Sequence, residues 1–458
     1  MKIVNGIKFN LKWIVAILVV SVIFIHLNQE RYKTLNVIDH DIAHYYSYLP
    51  AFFYEKDLSL SFLNDTVHQQ TEARYYLPNK TPGGQPVIKM SMGMAVGYLP
   101  FFGLAHVYAS LSGEAVNGFS APYHFAVLCS SLFYFVIGLL FLYRVLKMYF
   151  TEKSTLMALC VLCFGTNVYF YLTIGAGMSH TFSFMLVAAF IYYTVLWYKF
   201  HLVKQAIYIG LLGGLLVLVR PVNILLFVFF FLYDLRSLED LRVRFKLFLR
   251  NSSSLIFIFV CSIIVCLPQL LYWKQVSGHY FFNSYVGEHF YFANPHVFDA
   301  LFSFRKGWLL YSPLMFFSLI GFLFLRKKLA AFSFVIPLFF ALYLYMVFSW
   351  WCWWYGGSFG QRVLIDIYPL LLIPMTAFFE FLGDQSKVKR RMVYSIVSLL
   401  VLLNLFQTIQ AKYNIIHYDS MTRENYFKVF FTTSKQPDRE KYLKHPDYEK
   451  ALRGEDEY

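Results

Sequence analysis

Apolar runs that approach or reach the length of a membrane span recur along this chain: Trp13 to Ile25, Phe182 to Trp197, Leu255 to Leu267, Leu329 to Phe348 and Met392 to Phe406. About 20 such residues carry a helix across a hydrocarbon core. Only 14% of the 458 residues are charged and 58% are apolar, whereas a soluble chain carries about a quarter charged residues. A soluble fold could not hide that much apolar surface. The pattern predicts one all-α polytopic membrane domain, because a segment in lipid must satisfy its own backbone hydrogen bonds.

A net charge of +14 would suit nucleic acid, but its distribution predicts no such partner. Lys and Arg cluster between the apolar runs, at Lys2 to Lys12, Arg144 to Lys153, Lys199 to Lys204, Arg236 to Arg250, Arg326 to Lys328 and Lys387 to Arg391. Cytoplasmic loops carry such an excess. Placing all six segments inside gives spans at 13–28, 121–146, 156–173, 180–200, 205–219, 221–235, 252–272, 309–326, 329–349, 364–383 and 392–410, a bundle of about 11 transmembrane helices. The N-terminus is then cytoplasmic and all the net charge faces inward.

The apolar stretch Met90 to Ala109 would invert Arg144, Lys147 and Lys153 if it spanned. It is expected to lie in or dip into the outer leaflet, with Gly93 and Gly97 packing closely on neighbouring helices. His26-Leu-Asn-Gln-Glu30 offers no small-residue cleavage site after the first run, which reads as an anchor. Cys160 and Cys163 sit in an apolar run without companion ligands and read as core. The expected organisation is a membrane domain over 1–410, with long outer loops at 29–120 and 273–308, and a short polar tail over 411–458 on the outer side.

The unusual polar residues fall in the outer segments. Asp41, His44, Tyr45 and Tyr48 recur at helical spacing and put a carboxylate, an imidazole and two phenols on one amphipathic face. Asp39 or Asp41 taken alone reads equally as a helix cap. Lys89, Arg305 and Lys306 each precede an apolar segment, where a membrane-edge anchor is the alternative reading. The segment Trp350-Trp-Cys-Trp-Trp-Tyr-Gly-Gly-Ser-Phe-Gly-Gln-Arg362 makes an aromatic shelf that includes Trp353, Trp354 and Tyr355, with glycines that allow close approach of a ligand, and Arg362 and Asp366 follow one turn apart. An interfacial aromatic belt with an Arg–Asp pair is the alternative. His180 and Arg220 stand at span ends, where a structural role is favoured. Asp39, Asp41 and His44 are also the spacing of a divalent-metal site.

Asp41-x-x-x-Tyr45 with His44 before the aromatic, and Lys89-Met-Ser-Met-Gly-Met-Ala-Val-Gly-Tyr-Leu-Pro-Phe-Phe102, resemble motifs of the GT-C superfamily of membrane glycosyltransferases, which contains the protein O-mannosyltransferases and lipid A aminoarabinose transferases. Tyr45-Tyr-Ser-Tyr-Leu-Pro-Ala51, Phe304-Arg-Lys-Gly-Trp-Leu-Leu-Tyr-Ser-Pro313 and Gly357-Ser-Phe-Gly-Gln-Arg362 resemble its uncharacterised bacterial members. Ile42 stands where a Glu often follows the catalytic Asp, and the tail is shorter than the soluble domains of some relatives.

The resemblance implies a GT-C-like bundle in a bacterial plasma (inner) membrane with a periplasmic active site. It also implies an inverting transfer of a sugar from a polyprenyl-phosphate carrier to a hydroxyl of a lipid, glycan or protein. Asp41 is then the general base, with Asp39 and His44 beside it. Lys89, Arg305, Lys306 and Arg362 take the donor phosphate, and Tyr45, Tyr48, His180 and Asp366 join the aromatic segment around sugar and acceptor. No cofactor is expected, because the closer resemblance is to metal-independent enzymes. A lipid-linked sugar flippase or a glycan polymerase or ligase is the alternative reading.

Overall fold

The apolar runs form helices, which end where Gly, Pro or charged residues interrupt them. The computed structural model describes residues 10–64, 75–237 and 239–455; Lys2 and Lys8 of the first basic segment and residues 65–74 of the first loop lie outside these. The long helices are α1 (Leu11–Gln29), α2 (Gly93–Ser112), α3 (Ala121–Lys147), α4 (Glu152–Phe164), α5 (His180–Phe200), α6 (Val203–Val219), α7 (Ser252–Ser277), α8 (Phe316–Lys328), α9 (Val335–Phe348), α10 (Tyr368–Gly383) and α11 (Lys387–Lys412). Among the described residues the sheet content is one ladder, Asn79–Lys80 with Pro86–Val87. Among the described residues, eight helical segments are long and apolar enough to cross a membrane, and Val203–Val219, Pro221–Leu232 and Pro313–Arg326 are shorter apolar ones. The chain is an all-α, multi-pass integral membrane protein.

The expected spans are helical, but 156–173, 205–219, 221–235 and 309–326 fall short of spanning length as single helices, and Gly93–Ser112, expected only to lie in or dip into the outer leaflet, is among the eight long enough to cross. Span 156–173 is α4 and a short helix Val168–Thr173, separated at Gly165 to Asn167. Pro221 opens a 3-10 turn in span 221–235, and Pro313 interrupts span 309–326, because proline lacks the N–H that continues a helix. The stretch 90–109 forms α2. Its Gly97 carbonyl accepts from Tyr134 and its His106 meets Tyr123, so it runs beside the N-terminal half of α3.

Close helix approach explains much of the packing, since lipid supplies little hydrophobic force between helices. Gly210 and Gly214 of α6 face the backbone of Ile258 and Ser262 on α7, and the Ser262 hydroxyl donates to the Gly210 carbonyl at 2.9 Å. A Cβ on Gly321 of α8 would lie 2.0 Å from the Pro374 carbonyl oxygen of α10. Gly321→Ala must therefore push two helices apart. The expected loss is about 1–3 kcal/mol, read as a lowered melting temperature in detergent; an unchanged melting temperature would show that the contact carries no stability.

Among the described residues, the basic segments from Arg144 onward gather at one pole. Lys147 pairs with Glu152 at 2.9 Å, Thr151 donates to Glu380 at 2.7 Å, and the Tyr149 and Tyr233 hydroxyls meet at 3.0 Å. The first loop, the turn at Arg220, the segments around 285–308 and 350–362 and the tail meet at the other, polar pole. There the tail is folded rather than loose: Tyr311, Phe359, Ile415, Ile416, Met421 and Tyr426 form a small core of their own.

Candidate active site

The first-loop helix His40–Tyr46 sets out the acidic face. Asp39 is its cap, accepting from the His40 N–H at 2.8 Å, and its side chain is 58% exposed beside the His40 ring. Asp41 lies within the first turn but turns inward, where its carboxylate meets the Arg362 guanidinium at 2.8 Å. The two readings open for each acid thus divide between them. Arg362 begins a 3-10 turn, Arg362–Ile367, that leads into α10.

Burial by itself raises the Asp41 pKa, but Arg362, His44 and Lys89 together outweigh it and hold the carboxyl below its usual range. His44 goes the other way. Burial lowers its pKa to about 4 against the attraction of Asp41, so its imidazole is neutral at pH 7. One further feature marks Arg362: its buried Nε–H has no hydrogen-bond partner among the described residues, an unmet donor that ordinarily calls for an acceptor.

Lys89 pairs with Glu288 and lies 5.3 Å from the centre of the Tyr285 ring. Glu288 in turn accepts from the Trp351 indole N–H at 2.9 Å. Arg362 and Asp366 do not pair with each other. Asp366 points to a different side of the 3-10 turn, where it is fully buried against His180 at 2.8 Å and Arg220 at 3.5 Å. Arg220 lies 6.0 Å from the centre of the Tyr355 ring. Tyr45 is buried with its hydroxyl 3.3 Å from that of Ser179. Asp41, Lys89, Arg362, Tyr45, His180 and Asp366 therefore converge at one pole, drawn from four separated segments.

Other expected site residues are placed elsewhere. Arg305 lies 5.2 Å from the Trp354 ring centre and donates to the Lys444 carbonyl at 3.4 Å. Lys306 is buried, its ammonium donating to the carbonyls of Ser358 and Tyr418; burial pushes its pKa well below the usual range despite Asp419 nearby. Tyr48 is buried and donates to the Met90 carbonyl at 2.8 Å. The aromatic segment is not an open shelf. Trp353 and Trp354 are 1% and 0% exposed, the first stacked on His296 and the second packed on Tyr448. Tyr355 keeps partial exposure, with its hydroxyl donating to the Val347 carbonyl at 2.7 Å. Desolvation of these large rings accounts for the turn inward. Asp39, Asp41 and His44 are not a convergent ligand set, since Asp39 faces His40 and Asp41 faces Arg362.

Sequence reasoning missed Glu288, Tyr285 and Ser179, while the buried pairing of Arg220 with Asp366 agrees with the structural role expected for Arg220. A faint signal was present at Glu288: a carboxylate set among Tyr285, Phe290, Tyr291 and Phe292 in the second long loop.

No protein-family model and no curated protein matches the chain. Among solved structures it is similar to the archaeal oligosaccharyltransferase AglB from Archaeoglobus fulgidus in complex with an inhibitory peptide and a dolichol-phosphate. That match has a TM-score of 0.49 and 13% identity, and covers 94% of this chain and 59% of that one. It is also similar to the apo form of the Archaeoglobus fulgidus oligosaccharyltransferase, with a TM-score of 0.41, 13% identity and the same coverage. The chain thus spans 59% of the length of the solved chains it matches, and a likeness at this level decides neither activity nor ligand.

Proposed function

We propose that the chain is an inverting glycosyltransferase that moves a sugar from a polyprenyl-phosphate carrier to a hydroxyl of a lipid, glycan or protein acceptor on the outer face of the membrane. The observation that carries this reading is the Asp41–Arg362 contact at 2.8 Å with Lys89 close enough to act on the same carboxylate. A carboxylate, the cation paired with it and a second cation that acts on it electrostatically are drawn from three distant segments at the pole opposite the basic loops. By the positive-inside rule that pole is extracytoplasmic.

The chemistry asks for those groups. The acceptor oxygen attacks the anomeric carbon from the face opposite the phosphate, and its proton passes to the Asp41 carboxylate. The bond from that carbon to the phosphate oxygen breaks with its electron pair, so the carrier phosphate leaves as a stable anion. Unlike a glycosidase leaving group, it needs no acid.

Arg362 offers that phosphate the unpaired Nε–H, and Lys89 offers a second positive charge. The resting ion pair also couples binding to basicity. A phosphate that engages Arg362 draws it from Asp41, and the carboxylate then becomes a stronger base as the acceptor arrives.

The direct test supplies purified protein with a labelled polyprenyl-phosphate sugar and measures transfer and inversion. Movement of the intact carrier across liposomes, undiminished in Asp41→Asn and without transfer, would instead make the chain a transporter.

A pH profile tests the coupling. The depressed Asp41 pKa keeps the carboxylate charged above its ordinary value near 3.8, and that charge is lost as pH falls through the folded value. Arg362→Gln removes the largest opposing attraction and leaves burial acting upward. The acid limb of the rate profile should therefore move to higher pH, with transfer falling about 10²–10³-fold as a charge-stabilising donor is lost. An acid limb at the wild-type position would separate Arg362 from the base.

A further inference from the structure

In the C-terminal tail, His417, Asp419 and His445 bring one ligand atom each within 4.8 Å of one another. They lie at the polar pole but outside the constellation around Asp41. Their hydrogen bonds do not supply enough hydrogens.

Nδ1 of His417 receives the backbone N–H of Asp419 at 3.3 Å and of Ser420 at 3.2 Å, so this nitrogen carries a lone pair. It nevertheless stands 3.2 Å from Oδ1 of Asp419, a contact of acceptor with acceptor. Ser420 gives its hydroxyl hydrogen to that same Oδ1 at 2.6 Å, so toward Nδ1 of His445, at 2.9 Å, it can only accept. The second nitrogen of His445 faces a Glu440 carboxylate oxygen at 3.2 Å. A neutral imidazole has one N–H to meet both demands. The nearby Lys306 ammonium is already given to two carbonyls.

An electron-rich cluster of this kind is completed by a cation, and two imidazoles with a carboxylate suit a borderline divalent ion such as Zn²⁺. Once the Nε2–H of His445 is given to Glu440, Nδ1 is left for the ion, the arrangement in which a carboxylate commonly orients a metal-bound histidine.

We propose that His417, Asp419 and His445 bind a divalent transition-metal ion that staples the tail to the polar pole. The staple joins residues 417–419 to 445 and holds the neighbouring Tyr418 carbonyl against Lys306 and the Lys444 carbonyl against Arg305. It makes the tail a locked cover on the segments around 304–308 and 350–358. The inference does not depend on the reaction assigned to Asp41.

The test uses the full chain without an affinity tag, purified in detergent, stripped by chelator and titrated with Co²⁺ at neutral pH. Binding is followed by the visible absorption of the cobalt ion. The His445 side chain is 59% exposed, so His445→Gln removes a ligand without hollowing the core. The expected result is saturable binding by the wild-type chain, displaced by Zn²⁺, and at least about tenfold weaker in His445→Gln. Zn²⁺ should also slow tryptic cleavage between Arg423 and Lys444 in the wild type and not in the variant. Failure of the wild type to bind Co²⁺ saturably, equal affinity in His445→Gln, or equal protection of both chains by Zn²⁺ would overturn the proposal.

Discussion

Asp41→Asn is expected to lower sugar transfer by about 10²–10⁴-fold, the usual contribution of a positioned general base, while the protein remains folded. The amide is nearly isosteric and can still accept from Arg362, so the local packing persists. It cannot take the acceptor proton at neutral pH. The substitution removes the charge that competes with the donor phosphate for Arg362, leaving only a weaker neutral acceptor, so donor binding should hold or tighten while turnover falls. That split distinguishes a base from a structural anchor: loss of an anchor would lower donor binding and thermal stability together. Transfer at the wild-type rate by folded Asp41→Asn protein would rule out the assigned base.

Asp366→Leu is expected to produce the largest loss of stability. The carboxylate is fully buried and is the counter-charge of Arg220, with His180 bonded to its other oxygen. Removing one partner of a buried pair costs about 3–5 kcal/mol, because the remaining charge keeps its desolvation penalty and loses its attraction. The effect is read as a large drop in melting temperature or in the yield of folded, monodisperse protein. Asp366→Asn keeps a hydrogen-bond acceptor for His180 but not the charge, so it should fall between the two. A leucine variant as stable as the wild type would show that Arg220 finds its compensation elsewhere, such as in the Tyr355 ring.

These two carboxylates also mark how far the sequence could be read. The face carrying Asp41, His44 and Tyr45 was legible from helical spacing, and Asp41 does turn into the protein while Asp39 caps. The partner of Asp41 was not legible. Arg362 and Asp366 stand one turn apart and invite pairing with each other, yet a 3-10 turn sends them to different partners, one to the first loop and the other to α5 and the α6 end. The aromatic run at 350–355 had a legible composition and an illegible orientation. Whether a tryptophan faces a ligand or the core depends on which surfaces surround it, and here His296, Arg305 and Tyr448 bury Trp353 and Trp354. Lys306 reads as a donor-phosphate ligand or, alternatively, a membrane-edge anchor, but two carbonyls distant in sequence capture it. The tail reads as a polar appendage because its small apolar core is completed by Tyr311 and Phe359, which lie far upstream.

What the sequence by itself determined was membrane residence, the approximate helix boundaries and the division into a basic and a polar pole. Those follow from hydropathy, proline and charge, properties that each segment carries alone. Only the tertiary structure decided which carboxylate meets which cation, which aromatic rings are lost to the core, and that the tail closes over the polar pole. Ion pairs and ring contacts form between segments far apart in the chain, and their partners are chosen by how the helices pack, which no local pattern encodes.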